Sequence, residues 1–449
     1  MNNHEPSVPG WRRWFRYRLS TLLIAITLAT IAFAWCRAQM LAAHRQRDLA
    51  AAVEAAGGVI YYDWENHTPG DRWWRINING RVTPKPMQQG STPGPQWLRE
   101  WIGDEYFQEI VEVDLDVATP WLISGTPTVG SDGNDSPNEN DDAKTIVQDS
   151  LPDDSYDYDA ETRREAAEFR RLIEDVLQKV GRVPSVRYFY LGGGGYVDDA
   201  MLAPLENLDD LEELGLSDQD ITGEGLIYLS QLKQLRWLDL SRTPFTDAGL
   251  YHLKRMKNIE YLDLHETKIT DRRLSYLREL PRLRELDLSG LDLTQDEYAE
   301  NYTIPTSPAD VLGQMTQLRV LRLQDTRLDD FGFIANLTNL EELDLWGTGI
   351  RGEQIAALGQ LPKLTALNLY KTALDDKEVA GLAASQSLEK LYLHATEISD
   401  EACEHLGRMS SLKELGVENT EITTGGIEVL KAALPNLTLT QMGLEYVGR

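Results

Sequence analysis

A pattern of leucines repeats along the second half of this chain with a spacing close to 24 residues. The segment LRWLDLSRTPFTDAGLYHLKRMKN begins at Leu235, and the next two copies begin at Ile259 and Leu283. Further copies begin at Leu211, Leu318, Leu340, Leu364, Leu388 and Leu412. A fixed period in the twenties with an L-x-x-L-x-L core predicts stacked units that are each too small to fold alone and that share one continuous core.

Each copy divides into a strand, a turn and a returning segment. Positions 1, 4, 6 and 11 are apolar, and positions 4 and 6 alternate with other residues as in a half-buried strand. Position 9 is threonine in most copies, and its hydroxyl can bond backbone groups at the turn. Gln219 and Leu291 replace it, so we expect an imperfect hydrogen-bonded ladder there. A Thr-Asp, Asp-Asp or Ser-Asp pair follows position 11, as at Thr246 and Asp247, and predicts the capped start of a short helix.

These repeats resemble those of the leucine-rich-repeat proteins, and the T-D-x-x-L motif that ends at Leu250 resembles that of bacterial single-span members. The resemblance covers about two thirds of the chain. It implies an α/β solenoid, a horseshoe with a parallel concave sheet and convex helices. It implies no activity, because the group is defined by its repeats.

The N-terminal segment contains an uncharged run, LSTLLIAITLATIAFAW, from Leu19 to Trp35. Residues 1–18 are basic and aromatic, and arginines also follow the run. We interpret residues 19–36 as a single-pass transmembrane helix, at the short end of what spans a bilayer. Cleavage of a signal peptide near Ala34 remains the alternative, because Ala32-Phe33-Ala34 fits an A-x-A site. Either interpretation places the repeats outside the cytoplasm, with the anchored form at the cell membrane.

Three regions follow the predicted anchor. Residues 37–116 are expected to form a small α+β cap that includes a divergent first repeat strand, IVEVDL, beginning at Ile110. Residues 117–160 are rich in Asp, Gly, Ser and Pro, and we expect a disordered acidic insertion. A calcium site is the alternative there, but the D-x-[DN]-x-[DN]-G order is missing. The solenoid is assigned to residues 161–449.

Composition and motifs exclude several classes of function. The formal net charge of −28 argues against nucleic-acid binding. The seven histidines lack metal-ligand spacing, and no catalytic or cofactor-binding motif is present, so we expect neither an enzyme, nor a metal site, nor a cofactor. Cys403 lies in the column of Leu250 and Leu274, which predicts a core residue rather than a nucleophile. The four glycines at 192–195 follow a repeat strand and are interpreted as a turn.

Positions 3, 5 and 7 of each strand point to the concave face, where we predict the binding surface. Aromatic side chains and carboxylates are frequent there, a combination that suits recognition of a basic or polar partner, either a protein or a glycan. The predicted surface residues are Trp237, Asp239, Tyr261, Asp263, His265, Asp287, Asp344, Trp346, Tyr370, Tyr392 and His394. Asp239, Asp263 and Asp287 should form a row of like charges that folding does not require.

Two alternatives to this surface and this role stay open. The carboxylates are simply solvated and the aromatic residues fill a shallow curve, in which case the columns carry no ligand. The chain is an adaptor that recruits substrates to an enzyme complex, which would need a second recruiting domain that the first 180 residues do not offer.

Overall fold

A computed structural model describes residues 10–62, 109–115, 160–294 and 307–440. The strand predicted over 73–78, the acidic insertion and the extra loop after Thr294 lie outside the described residues. The same holds for the tail beyond Thr440.

The described residues form one sheet of 13 strands whose spatial order follows the chain. Strands β2 to β13 pair in parallel, whereas β1 pairs with β2 in the antiparallel direction. The strands are β1 Val59–Tyr62, β2 Ile110–Asp114, β3 Tyr188–Tyr190, β4 Glu213–Gly215, β5 Trp237–Asp239, β6 Tyr261–Asp263, β7 Glu285–Asp287, β8 Val320–Arg322, β9 Glu342–Asp344, β10 Ala366–Asn368, β11 Lys390–Tyr392, β12 Glu414–Gly416 and β13 Thr438–Thr440. The leucine-rich-repeat solenoid expected from the sequence is therefore confirmed, and the strand predicted at Ile110 belongs to its sheet.

The core lies between this sheet and the convex segments. Leucines at position 4 stack from strand to strand in register, as Leu238, Leu262 and Leu286 do, and all three are fully buried. Removing a buried leucine of this kind costs roughly 2–5 kcal/mol. Cys403 is fully buried in the same core, and burial, with Asp400 and Asp376 adding to it, raises the pKa of its thiol to about 11. It is a core residue, as predicted.

The returning segments are short helices, as the capping pairs predicted. Seven are α-helical and three are 3-10 helices among the described residues. The α-helical segments are Leu226–Leu229, Asp247–Leu253, Pro308–Gly313, Glu353–Leu358, Asp376–Leu382, Asp400–Leu406 and Thr424–Ala433, and the 3-10 segments are Asp199–Asn207, Asp271–Glu279 and Gly332–Asn336. The shortest 3-10 segment has five residues and belongs to the repeat with the 22-residue interval, where a shorter return was expected.

The turn after each strand is built from positions 8 and 9. Position 8 has a positive φ in every repeat from Asp218 to Asn419, a left-handed conformation that the sequence pattern did not indicate. The threonine at position 9 donates its hydroxyl to the carbonyl of position 6, as in the 2.6 Å bond from Thr243 Oγ1 to the oxygen of Leu240. The predicted role of this column is confirmed.

The expected defects at Gln219 and Leu291 are absent, and this prediction was wrong. The Gln219 amide accepts from the backbone N–H of Val197 at 3.0 Å and donates to the carbonyl of Gly193 at 2.8 Å. At the second site, the hydroxyl of Thr326 reaches back one repeat to the carbonyl of Leu288 at 2.8 Å. A longer side chain in one case and a neighbouring repeat in the other supply the missing bond.

The aspartate of each Thr-Asp pair has a role that differs from the predicted helix cap. Asp247 accepts from the backbone N–H of Thr270 at 3.0 Å and from its hydroxyl at 2.6 Å, across 23 residues. Asp376 makes the same pair of bonds to Ser399 at 2.8 and 2.7 Å. The first residue of the pair caps its own helix, and the aspartate joins its repeat to the next one.

The first helix, α1, runs without interruption over Gly10–Ala55, where the sequence predicted an anchor and a separate second helix. Its end at Gly57, which has a φ of +80°, was predicted from the two glycines there. From Ala43 onward its apolar residues are buried against the amphipathic helix α2, Ala160–Val180, and the start of the sheet. Among the described residues, α1 alone is long and apolar enough to cross a membrane, over Ile26–Ala55.

Candidate functional site

The predicted surface residues all lie on the concave side of the sheet, in two groups. The first group comes from β5, β6 and β7, where Asp239, Asp263 and Asp287 stand side by side in register. The second comes from β9, β10 and β11 and the positions just after them, and contains Asp344, Trp346, Tyr370, Tyr392 and His394. Arg322 of β8 separates the two groups.

The aromatic residues of the first group are less accessible than the sequence suggested. Trp237 is 8% exposed and Tyr261 4% exposed, because their rings stack on each other with centroids 5.0 Å apart. Tyr190 packs edge-on against Trp237 at 5.8 Å, and Tyr188 completes the same buried cluster. The two tyrosines of β3 were missed, although they occupy positions 3 and 5 of a strand that the sequence did indicate.

The aspartates at position 5 have a folding role, which corrects the expectation that folding does not require them. In each case one carboxylate oxygen accepts from the backbone N–H two residues later. The bonds are Asp239 to Ser241 at 2.8 Å, Asp263 to His265 at 3.0 Å, Asp287 to Ser289 at 2.9 Å and Asp344 to Trp346 at 3.0 Å. Asn368 makes the same bond to Tyr370 at 3.0 Å, so the column selects for an oxygen acceptor that closes the turn rather than for charge alone.

Burial and mutual repulsion perturb the acidity of this row. Burial, followed by the charge of Asp263, raises the pKa of Asp239 to about 6 and that of Asp287 to about 6. Burial alone would also raise the pKa of Asp263, but the His265 imidazolium lowers it overall. Glu285, on the same strand as Asp287, has its pKa raised to about 7 by burial. The row therefore changes its charge near neutral pH.

His265 holds the centre of the row. Its Nδ1 lies 2.8 Å from Asp263 Oδ1, and although burial lowers its pKa, the attraction of Asp263 raises it overall, to about 9. The protonated ring donates from both nitrogens, so the 3.2 Å approach of its Nε2 to Arg242 Nη1 brings two donors together. A bidentate pair with Asp218, at 2.7 and 2.6 Å, holds the Arg242 guanidinium in this position.

Arg322 supplies a second buried cation. It is 8% exposed, and its charge interacts with Tyr261 and with the carboxylates of Asp287, Glu285 and Asp263. These interactions raise its pKa although burial opposes its charge. The sequence gave Arg322 no role, yet it is the cation that balances the carboxylate row from the side of β8.

One cluster has the spacing of a metal site. Ligand atoms of Asp263, His265 and Asp287 lie within 4.8 Å of one another. The imidazole nitrogen and the carboxylate nearest to each other already share a hydrogen bond, and the guanidiniums of Arg322 and Arg242 lie alongside. Because two fixed cations already neutralise these groups, we assign no metal to the cluster.

The accessible part of the concave face lies over the second group. Trp346 and Tyr370 are half-buried, and their rings meet edge to face with centroids 5.2 Å apart. Beneath them Asp344 is held by Asn368 and by Gln324, which donates at 2.7 Å, and burial raises its pKa. This aromatic pair is rigid and presents part of each ring to solvent.

A groove of about 410 Å³ runs along the edge where the strands begin, and it was not predicted. Its floor includes Trp237, and charged side chains at positions 2 and 3 line it, Arg284 and Arg319 among them. The position 2 column alternates in sign, with Arg319 and Glu341 paired at 3.4 Å. A signal for it was present in the sequence, since Arg and Glu recur at position 2 of the repeats.

Taken together, the stacked repeats and their curved sheet define the chain as a solenoid that presents a concave surface. The family model described as leucine rich repeat matches residues 233–293. This chain is a leucine-rich-repeat protein. Proteins of this class are generally binding scaffolds rather than enzymes.

Solved structures with a similar fold come from distant organisms. An internalin from Listeria monocytogenes is 19% identical, with a TM-score of 0.42, over 64% of this chain and 95% of that one. A leucine-rich-repeat protein from Leptospira interrogans is 19% identical, with a TM-score of 0.39, over 59% and 80%. The mouse RP105/MD-1 complex is 22% identical, with a TM-score of 0.44, over 59% of this chain and 44% of that one. No curated protein sequence matches this chain.

Proposed function

We propose that this protein is a membrane-anchored binding protein that recognises a basic segment of another protein on its concave face, with a glycan as the second candidate ligand. The observation that carries the proposal is the half-exposed pair of Trp346 and Tyr370, set above a row of carboxylates. Rigid aromatic rings of this kind anchor interfaces, because they lose little conformational entropy on binding. Acidic residues on neighbouring strands attract a cationic partner.

The distribution of burial divides the predicted surface into two functions. The stacked rings of Trp237 and Tyr261 and the oxygen acceptors at position 5 support the fold. The accessible aromatic pair, together with the half-exposed Asp239, is left to make contact with a ligand. Replacing the buried residues would therefore confuse loss of binding with loss of stability.

The anchor and the location outside the cytoplasm are part of this proposal. The helix α1 exposes large apolar residues upstream of the cap, among them Phe33, which is 76% exposed, and Trp35, which is 63% exposed. An aqueous surface would not favour such a run, whereas a bilayer would. The bacterial single-span type remains the group that the repeats resemble. Mass spectrometry of the mature N-terminus would distinguish an intact anchor from cleavage near Ala34.

The test compares two aromatic surfaces of the same protein. The double variant Trp346→Ala, Tyr370→Ala should lose peptides selected from a displayed random library by the wild type, and those peptides should be rich in Lys and Arg. The control variant Tyr251→Ala removes a 41% exposed ring from the convex side and should keep the same peptides. Equal retention by both variants, or a selected set without net positive charge, would refute the proposal.

A further inference from the structure

The helix α1 connects the apolar run to the solenoid without a break. All described side chains from Ile24 to Ala42 are exposed, and the first buried one is Ala43. Beyond it, Leu49, Ala52 and Val53 are buried in the same core as the leucines of the repeats. The helix is thus a projecting rod at its N-terminal end and part of the cap at its C-terminal end.

The distance between these two parts matches one layer of lipid headgroups. The last apolar residues before a charge end at Arg37, six residues before Ala43. At 1.5 Å per residue these six residues extend about 9 Å. The headgroup layer on each side of a bilayer is roughly 5–8 Å thick. If the apolar run lies in the hydrocarbon, the cap begins where the headgroups end.

Two exposed cations occupy the corresponding part of the helix. Arg37 lies at the end of the apolar run, and Arg45 lies two residues past the first buried position. Neither guanidinium has a side-chain partner among the described residues. Guanidinium groups bind phosphate oxygens well, and arginines next to a membrane span reach the headgroups along their stems. The chain as a whole has a net charge of −28, so these cations stand out from the charge of the solenoid.

We infer that the cap of the solenoid lies directly on the bilayer, that unbroken α1 fixes its distance from the membrane, and that Arg37 and Arg45 contact lipid phosphates. This inference rests on the anchoring part of the proposed function. It adds that the concave face keeps one height and one orientation above the membrane, whereas a flexible tether would allow many. A partner would then be captured only within a narrow layer next to the lipid.

The test measures how far the end of α1 stands from the lipid. The full chain is placed in nanodiscs of phosphatidylcholine and phosphatidylglycerol at 3:1, with a donor on Glu54→Cys and acceptors on lipid headgroups. Glu54 is exposed and follows Arg37 by 17 residues, so the donor should stand no more than about 26 Å above the level of Arg37. Cys36→Ser and Cys403→Ala remove the other thiols, and the unfolding midpoint checks that each variant folds.

Two insertions after Gln39 separate a rigid rod from a tether. Seven residues of sequence EAAAKEA should move the donor outward by about 10 Å with a narrow distance distribution, and they preserve the helical face. Seven residues of sequence GSGSGSG should broaden the distribution. A native distribution as broad as that of the Gly-Ser variant would overturn the inference. Failure of the intact chain to float with vesicles would instead overturn the anchor itself.

A charge variant tests the contact with phosphate. The native donor should stand closer to the lipid in nanodiscs that contain phosphatidylglycerol than in pure phosphatidylcholine. The pair Arg37→Gln, Arg45→Gln should abolish this difference, whereas Arg408→Gln, an exposed arginine on the far side of the solenoid, should keep it. A difference that persists in the double variant would refute the role of these two cations.

Discussion

Thr243→Val tests the column of threonines that secures the turns. Thr243 is 2% exposed, and its hydroxyl donates to the carbonyl of Leu240 at 2.6 Å. Valine keeps the shape but leaves that buried carbonyl without this donor, which costs roughly 1–3 kcal/mol. The methyl group that replaces the hydroxyl gains up to about 0.8 kcal/mol by burial. We expect the free energy of unfolding to fall by about 1 kcal/mol.

The assay is urea unfolding of the full chain in a mild detergent, followed by circular dichroism. The midpoint should move to lower urea with an unchanged slope, which indicates a change in stability and not in the denatured state. Thr338→Val is the matched control, because this threonine is exposed, and it should change the stability by less than about 0.5 kcal/mol.

A second copy of the same bond makes the prediction stricter. Thr348 donates to the carbonyl of Leu345 at 2.7 Å, four strands away from Thr243. The two sites share no partner, so the costs of the two valine substitutions should add. A Thr243→Val protein as stable as the wild type, or a double variant no weaker than the single one, would show that the hydroxyl bonds do not hold the turns.

Three further predictions concern other parts of the repeat. Gly347→Ala should lower the unfolding midpoint at a cost of roughly 1–2 kcal/mol, because φ is +67° and the new methyl would meet Asp325 Oδ1 at 2.0 Å; an unchanged midpoint would contradict this. Asp247→Ala should cost about 1–2 kcal/mol in urea unfolding, because both bonds to Thr270 are lost, and no loss would disprove the proposed link between repeats. Asp287 has a pKa of about 6 when folded, raised from 3.8, so the native state binds its proton more tightly and stability falls as pH rises from about 4 to 6. Asp287→Asn should flatten that fall and stabilise the protein at pH 7.5 by roughly 1–3 kcal/mol, and a less stable variant at that pH would contradict the assignment.

The sequence by itself determined the solenoid and its core. The spacing of leucines fixes which side chains point inward, because strand alternation and helical return are local properties of each repeat. The threonine column, the buried Cys403 and the strand at Ile110 followed from the same reasoning, since every repeat reports on the others. The length of the return at Gly332–Asn336 could also be read from the interval alone.

The tertiary structure decided what the concave columns do. Trp237 and Tyr261 are 24 residues apart, and only the pairing of their strands shows that each ring buries the other. Asp239 looked free for function, because the turn that presents a backbone N–H to its carboxylate exists only in the folded chain. The bond between Asp247 and Thr270, and the packing of α1 onto the cap, likewise join segments that are distant in sequence. Sequence pattern reports which side chains face the core, whereas contacts between repeats depend on distances that only stacking sets.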